Sequence, residues 1–138
     1  MQWQFLDESE RRALAIADGK GSTAIALAPD EAPTVDHNRL SDHDRQVVAI
    51  FKRHLTELCQ PVDVRVFGSR ARGEATWESD LDLFIMLETA PTELRRRIDE
   101  LAWEVGFAAG LVIAPLVVTK DTLANPLITH IKNEGVAV

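Results

Sequence analysis

The stretch FGSRARGEATWESDLDLFIML, residues 67–87, decides how this chain is read. It ends in a seven-residue apolar run, Leu81 to Leu87, broken only by Asp82, which reads as a strand. Before it lies a loop rich in Gly, Ser and charge, residues 68–79. Asp80 and Asp82 stand two apart at the strand opening. That spacing puts both carboxylates on one face and turns Leu81 and Leu83 into the core. Neighbouring carboxylates repel unless a cation or a shared proton relieves them. A divalent ion is the usual relief, and Mg²⁺ takes a few carboxylates together with phosphate oxygens. Gly68 lets a phosphate approach the backbone, and Ser69 can donate to a phosphate oxygen. Arg70 and Arg72 add charge-assisted phosphate contacts, with surface salt bridges as the equal alternative. The bland reading of these parts is a solvated strand start after an ordinary turn. Their joint occurrence favours metal-dependent phosphoryl or nucleotidyl transfer instead.

The flanks of this stretch predict a small α/β domain. Ser41 is a helix N-cap, with Asp42 and Asp44 in the first turn, where the helix dipole favours acids. Val47, Val48, Phe51, Leu55 and Leu58 recur at helical spacing until Pro61. Val62, Val64 and Val66 then alternate with Asp63, Arg65 and Phe67, a strand signal. Pro91 opens a helix with Leu94, Ile98, Leu101 and Val105 on one face, ending near Gly110. LVIAPLVV, residues 111–118, is a third strand, and its Pro115 predicts an edge position or a bulge. Thr122 to Asn133 reads as mostly helical, broken at Asn125-Pro126, with Gly135 as cap and VAV trailing off. The fold class is α/β (α+β), a small mixed sheet flanked by helices.

Residues 1–40 read as an N-terminal arm, and residues 41–138 as the domain. Asp7 and Glu10 form a capping box at the start of a helix over LDESERRALAIA, residues 6–17, ended by Gly19 and Gly21. Residues 23–28 are a short strand or a continued turn, and residues 29–39 a surface linker. Trp3, Phe5 and Leu6 need a surface to cover them, in this chain or another. DGKGST, residues 18–23, lacks the spacing of a phosphate loop and reads as a turn.

The whole chain has 138 residues, 22 acids and 15 bases, a net charge of −7. One domain is the prior at this length. The acidic balance disfavours nucleic acid, since counterion release needs clustered Lys and Arg. Arg95, Arg96 and Arg97 read as a solvated helix face. No apolar run approaches the roughly 20 residues of a membrane helix. The first residues, MQWQFLDESERR, carry no export signal. Cys59 stands alone and reads as structural; one cysteine builds neither an internal disulfide nor a cysteine zinc site. Cytoplasm is the expected compartment. The four His show no metal-ligand spacing; His54 and His130 read as surface or packing residues. Trp77 is placed to stack on a base or cover the loop, and Trp103 reads as core.

The run Gly68-Ser69-Arg70-Ala71-Arg72-Gly73, followed by Ser79-Asp80-Leu81-Asp82-Leu83, resembles the signature of the DNA polymerase β-like nucleotidyltransferase superfamily. More narrowly, it looks like the small prokaryotic minimal nucleotidyltransferases. The resemblance covers about residues 45–135, including Ile131-x-x-Glu134-Gly135. It implies a polymerase β-like fold in which Gly68 and Ser69 hold nucleotide phosphates and Asp80 and Asp82 are the catalytic Mg²⁺ ligands. It implies transfer of a nucleoside monophosphate from a nucleoside triphosphate, ATP favoured, to a hydroxyl, with release of pyrophosphate. It further implies a HEPN-type protein partner in a toxin–antitoxin pair, with a homo-oligomer left open.

The chain departs from that pattern at a third carboxylate on a later strand. LVIAPLVV at 111–118 contains no acid, and Glu104 before it and Asp121 after it fit poorly. A second reading follows: a catalytically weak or inactive binding module on the same fold, serving as antitoxin or nucleotide sensor.

Overall fold

A computed structural model describes residues 3–16, 40–73 and 79–138. The expectations for residues 18–39 and for Trp77 lie outside the described residues. The elements run α1 (Glu8–Ile16), α2 (Asp42–Leu58), β1 (Asp63–Phe67), α3 (Ser69–Arg72), β2 (Leu81–Leu87), α4 (Thr92–Ala109), β3 (Ile113–Thr119), α5 (Pro126–Glu134) and β4 (Val136–Ala137), with a 3-10 turn at Lys120–Ala124. The four strands form one sheet in the order β3-β2-β1-β4. β1 pairs antiparallel with β2 and β4, whereas β2 and β3 run parallel. The mixed sheet expected from the sequence is therefore present, flanked by helices.

Strand alternation builds two apolar layers. Leu81, Leu83, Ile85 and Leu87 of β2 share the main core with Val64 and Val66 of β1, and with Val47, Phe51 and Leu55 of α2. Ile98, Leu101 and Val105 of α4 complete it. Each such fully buried aliphatic or aromatic side chain contributes about 1.5–3 kcal/mol over an exposed one. On the other sheet face Phe84, Met86 and Val118 pack with Phe67, Leu116, Ile128 and Ile131. Ile128 and Ile131 come from α5, and Asp82, nearer the sheet end, stays half-buried.

The capping logic holds. Ser41 Oγ accepts the Asp44 amide at 3.0 Å. The Asp7 carboxylate accepts the Glu10 amide at 2.8 Å, and Glu10 accepts the Asp7 amide at 3.1 Å. Asn125 accepts the Leu127 amide at 2.9 Å and starts α5 with Pro126 in its first turn. Pro115 sits on β3, an edge strand, where its missing N–H is tolerated.

Three details differ from the sequence expectations. The loop at 68–79 opens with one helical turn, α3. VAV does not trail off: Val136 and Ala137 add a fourth strand beside Val66 and Arg65. Gly135 permits that approach, because a Cβ there would stand 2.9 Å from the Arg65 Cβ. Trp103 is not core. It is 57% exposed and stacks on Phe107, ring centroids 5.2 Å apart. Two helix positions beyond Leu101 is about 200° around the axis, so Trp103 points away from the core stripe.

Residues 3–16 close onto the same core, with Leu6 and Leu14 buried. Trp3 packs against Phe107 at 5.9 Å, and Arg11 lies over the Trp3 ring. The covering surface for Trp3, Phe5 and Leu6 is thus in this chain. Glu104, on α4, is 4% exposed and accepts the amides of Gln4, Phe5 and Leu6 at 2.7–2.9 Å. Glu10 accepts from His54 at 3.0 Å and pairs with Arg53. Buried His54 is thereby a packing residue that joins α1 to α2. Among the described residues, no helix is long and apolar enough to cross a membrane.

Candidate active site

Sheet topology assembles the site. β1 ends and β2 begins at the same sheet end, with Phe67 opposite Asp82 in the antiparallel ladder. The chain leaving β1 turns at Gly68, whose φ of 81° and ψ of −160° lie in a region that side chains avoid. The Asp82 carboxylate lies directly over the Gly68 Cα. A Cβ at position 68 would overlap Asp82 Oδ2 and stand 3.3 Å from its Cγ. The glycine is needed twice here, for its backbone conformation and for the space Asp82 occupies.

Asp80 is exposed just before β2, and Asp82 is half-buried within it. Burial raises the Asp82 pKa above the ordinary aspartate value, and the negative charge of Asp80 raises it further. The positive charges of Arg70 and Arg72 oppose that rise. The two carboxylates therefore act on each other, as their spacing predicts, under a field that the two arginines shape. A partly desolvated carboxylate with a like-charged neighbour is a hard-oxygen donor pair, which fits a divalent ion such as Mg²⁺. Ser69 is half-buried at the start of α3, next to Gly68.

Arg70 and Arg72 part company. Arg72 is exposed on α3. Arg70 is buried, and its guanidinium donates to Asp44 Oδ1 at 2.7 Å from Nη1. Its Nε and Nη2 both donate to the Ser79 carbonyl, at 3.0 and 2.6 Å. Asp44 is itself 3% exposed. Sequence reasoning placed Asp44 only as a dipole-favoured acid in the first turn of α2. The signal that it faces inward was available: Asp44 stands three residues before Val47, on the buried stripe of the helix.

Among the described residues, no third acid joins the pair. Groups of three or more His, Cys, Asp or Glu able to hold a metal do not occur among the described residues. In the parallel ladder Asp82 faces Ala114, so that residue occupies the adjacent position on the same sheet face. Glu104 is committed to three backbone amides beside α4. Asp121 follows the far end of β3, beyond Thr119, which pairs with Leu87. From Ala114 to Thr119 is about 16 Å of strand.

Comparison with known proteins bears on the family. A protein of Methanocaldococcus jannaschii named "Putative protein adenylyltransferase MJ0141" is 29% identical over 96 residues, covering 67% of this chain and 96% of that protein. A family model described as a nucleotidyltransferase domain matches residues 46–138, from α2 through β4, and so spans the glycine turn, both aspartates and the strands that carry them. With two-thirds of its length in that match, the chain belongs to the nucleotidyltransferase domain family.

Proposed function

We propose that the chain transfers AMP from Mg-bound ATP to a hydroxyl of a partner protein, in the cytoplasm. The observation that carries this reading is the Asp82 carboxylate seated on Gly68 beside Asp80, inside the family's matched segment. Asp80 and Asp82 would hold Mg²⁺, which when bound neutralises charge on the triphosphate and the departing pyrophosphate. Gly68 and Ser69 receive the phosphates at the turn, and Arg72 supplies positive charge from the exposed side of α3. Arg70 contributes its charge from behind. The acceptor oxygen bonds to the α-phosphorus as the bond to the pyrophosphate oxygen breaks, and the hydroxyl proton leaves to solvent. The catalytic unit is residues 41–138, with residues 1–40 as an arm. A protein acceptor is favoured by the printed name of the relative and by the net charge of −7, which disfavours nucleic acid. A HEPN-type partner in a toxin–antitoxin pair is the arrangement that the family resemblance implies.

Incubation with ATP labelled at the α-phosphate, Mg²⁺ and the product of the adjacent gene tests this. Label should reach the partner protein and be lost in Asp80→Asn and Asp82→Asn. No transfer under any metal or nucleotide would sink the proposal. Ala114 beside Asp82 favours a second reading, a nucleotide-binding module that acts by contact. In that case Asp80→Asn leaves partner neutralisation intact.

A further inference from the structure

We propose that Arg70 and Asp44 are positioning residues that fix where Asp80 stands, and thereby set the spacing of the two carboxylates. This rests on the metal–nucleotide reading of the site. Asp80 has two flanking peptide groups, and both are tied. The carbonyl of Ser79, which precedes it, accepts both Nε and Nη2 of Arg70, at 3.0 and 2.6 Å. The amide of Leu81, which follows it, donates to the Val112 carbonyl at 2.8 Å. The first tie holds Asp80 to the turn after β1, and the second holds it to the β3 end of the sheet.

The first tie is only as firm as Arg70, and Asp44 is what makes Arg70 firm. Buried guanidinium is costly unless a counter-charge meets it. Asp44 Oδ1 meets Nη1 at 2.7 Å. Asp44 is in turn set by the Ser41 cap, which takes its amide and fixes the first turn of α2. A chain of contacts thus runs from the α2 N-terminus through Asp44 and Arg70 to the backbone of Asp80. It spans separations of 26 and 9 residues, so no local propensity could supply it. The chemistry requires arginine. A planar fork can place two N–H groups on one carbonyl and a third on a carboxylate, whereas a lysine ammonium at the same place loses that geometry. An ion held by two carboxylates needs both within about 0.5 Å of their working places.

The test measures Mn²⁺–ATP binding to the full chain by calorimetry, for wild type, Arg70→Lys and Asp44→Asn. Glu104→Gln serves as the control. It removes a buried carboxylate whose hydrogen bonds go to the amides of Gln4, Phe5 and Leu6, and so reports what destabilisation alone does to binding. Urea unfolding of all four places them on one stability scale, and Leu81 amide exchange reports the anchoring of the Asp80 segment without metal. Arg70→Lys and Asp44→Asn should each weaken Mn²⁺–ATP binding about 10- to 100-fold, the usual cost of losing a group that orients a metal ligand. Both should speed Leu81 exchange beyond their change in global stability. Glu104→Gln should keep binding within about twofold of wild type, well below one tenfold step. Wild-type binding retained in both site variants, or lost equally in Glu104→Gln, overturns the positioning role and leaves the proposed function standing. If wild type itself binds no Mn²⁺–ATP, the functional reading fails. Leu81 exchange then decides the anchoring by itself, and unchanged exchange in Arg70→Lys refutes it.

Discussion

Replacing Gly68 by alanine separates two costs that the structure puts on one atom. The backbone at 68 has φ 81° and ψ −160°, a region essentially confined to glycine. Holding alanine there costs about 1–3 kcal/mol. The added Cβ also overlaps Asp82 Oδ2. To reach ordinary contact, the carboxylate oxygen must retreat by about 1 Å, and disturbing the setting of a metal ligand costs about 10- to 100-fold in metal affinity. That is about 1.4–2.8 kcal/mol of lost metal–nucleotide affinity. Gly110→Ala is the internal control. Gly110 also has a positive φ, 77°, but a Cβ there meets nothing within 4 Å. It should lose about 1 kcal/mol of stability and keep its affinity. Urea unfolding reads the first cost, and calorimetry with Mn²⁺ and ATP reads the second. Gly68→Ala should fail on both counts, Gly110→Ala on stability alone. If Gly68→Ala binds metal and nucleotide as wild type does, Asp82 is not held where binding needs it, and the site assignment falls.

Three further outcomes are expected. Asp82 has a raised pKa, so between the unfolded and folded values the folded chain holds the extra proton. Stability of the metal-free protein should therefore fall as pH rises through that window and level off above it, while metal affinity weakens as pH falls through it. Urea midpoints across that range should show a slope in wild type that Asp82→Asn lacks; identical slopes would refute the assignment. Ala114→Asp places a third acid beside Asp82, about 4.8 Å away across the parallel ladder. It should lower the thermal midpoint without metal and tighten Mn²⁺ binding at least about tenfold, and unchanged binding would mean that position 114 does not face the ion. Glu104→Gln leaves three amides without a carboxylate and should cost about 3 kcal/mol in urea unfolding. A loss below about 0.5 kcal/mol would show that the N-terminal segment is not pinned there.

Much of the site was legible because its signals are local. Gly68-Ser69 ends one strand and Asp80-x-Asp82 starts the next, and a chain that reverses between them must bring both to one sheet end. Leu81 and Leu83 alternate with the acids, which sets the buried and open faces. The role of Arg70 was not legible. A sequence shows arginines at 70 and 72 as equals, and only Asp44, brought over from α2, distinguishes the buried one. β4 escaped for a similar reason: two residues carry no periodicity, and their strand exists only by pairing with β1.

By itself, then, the sequence determined the longer helices and the first three strands, the mixed sheet, the two aspartates and their glycine turn, and the want of an acid between residues 111 and 118. Periodicity and caps act over three to four residues, within reach of reading along the chain. Tertiary structure alone decided that Ala114 stands beside Asp82, that Glu104 is taken by the N-terminal amides, and that Arg70 faces inward. Each of these depends on partners distant in the chain, and desolvation on folding decides which charges must find one another.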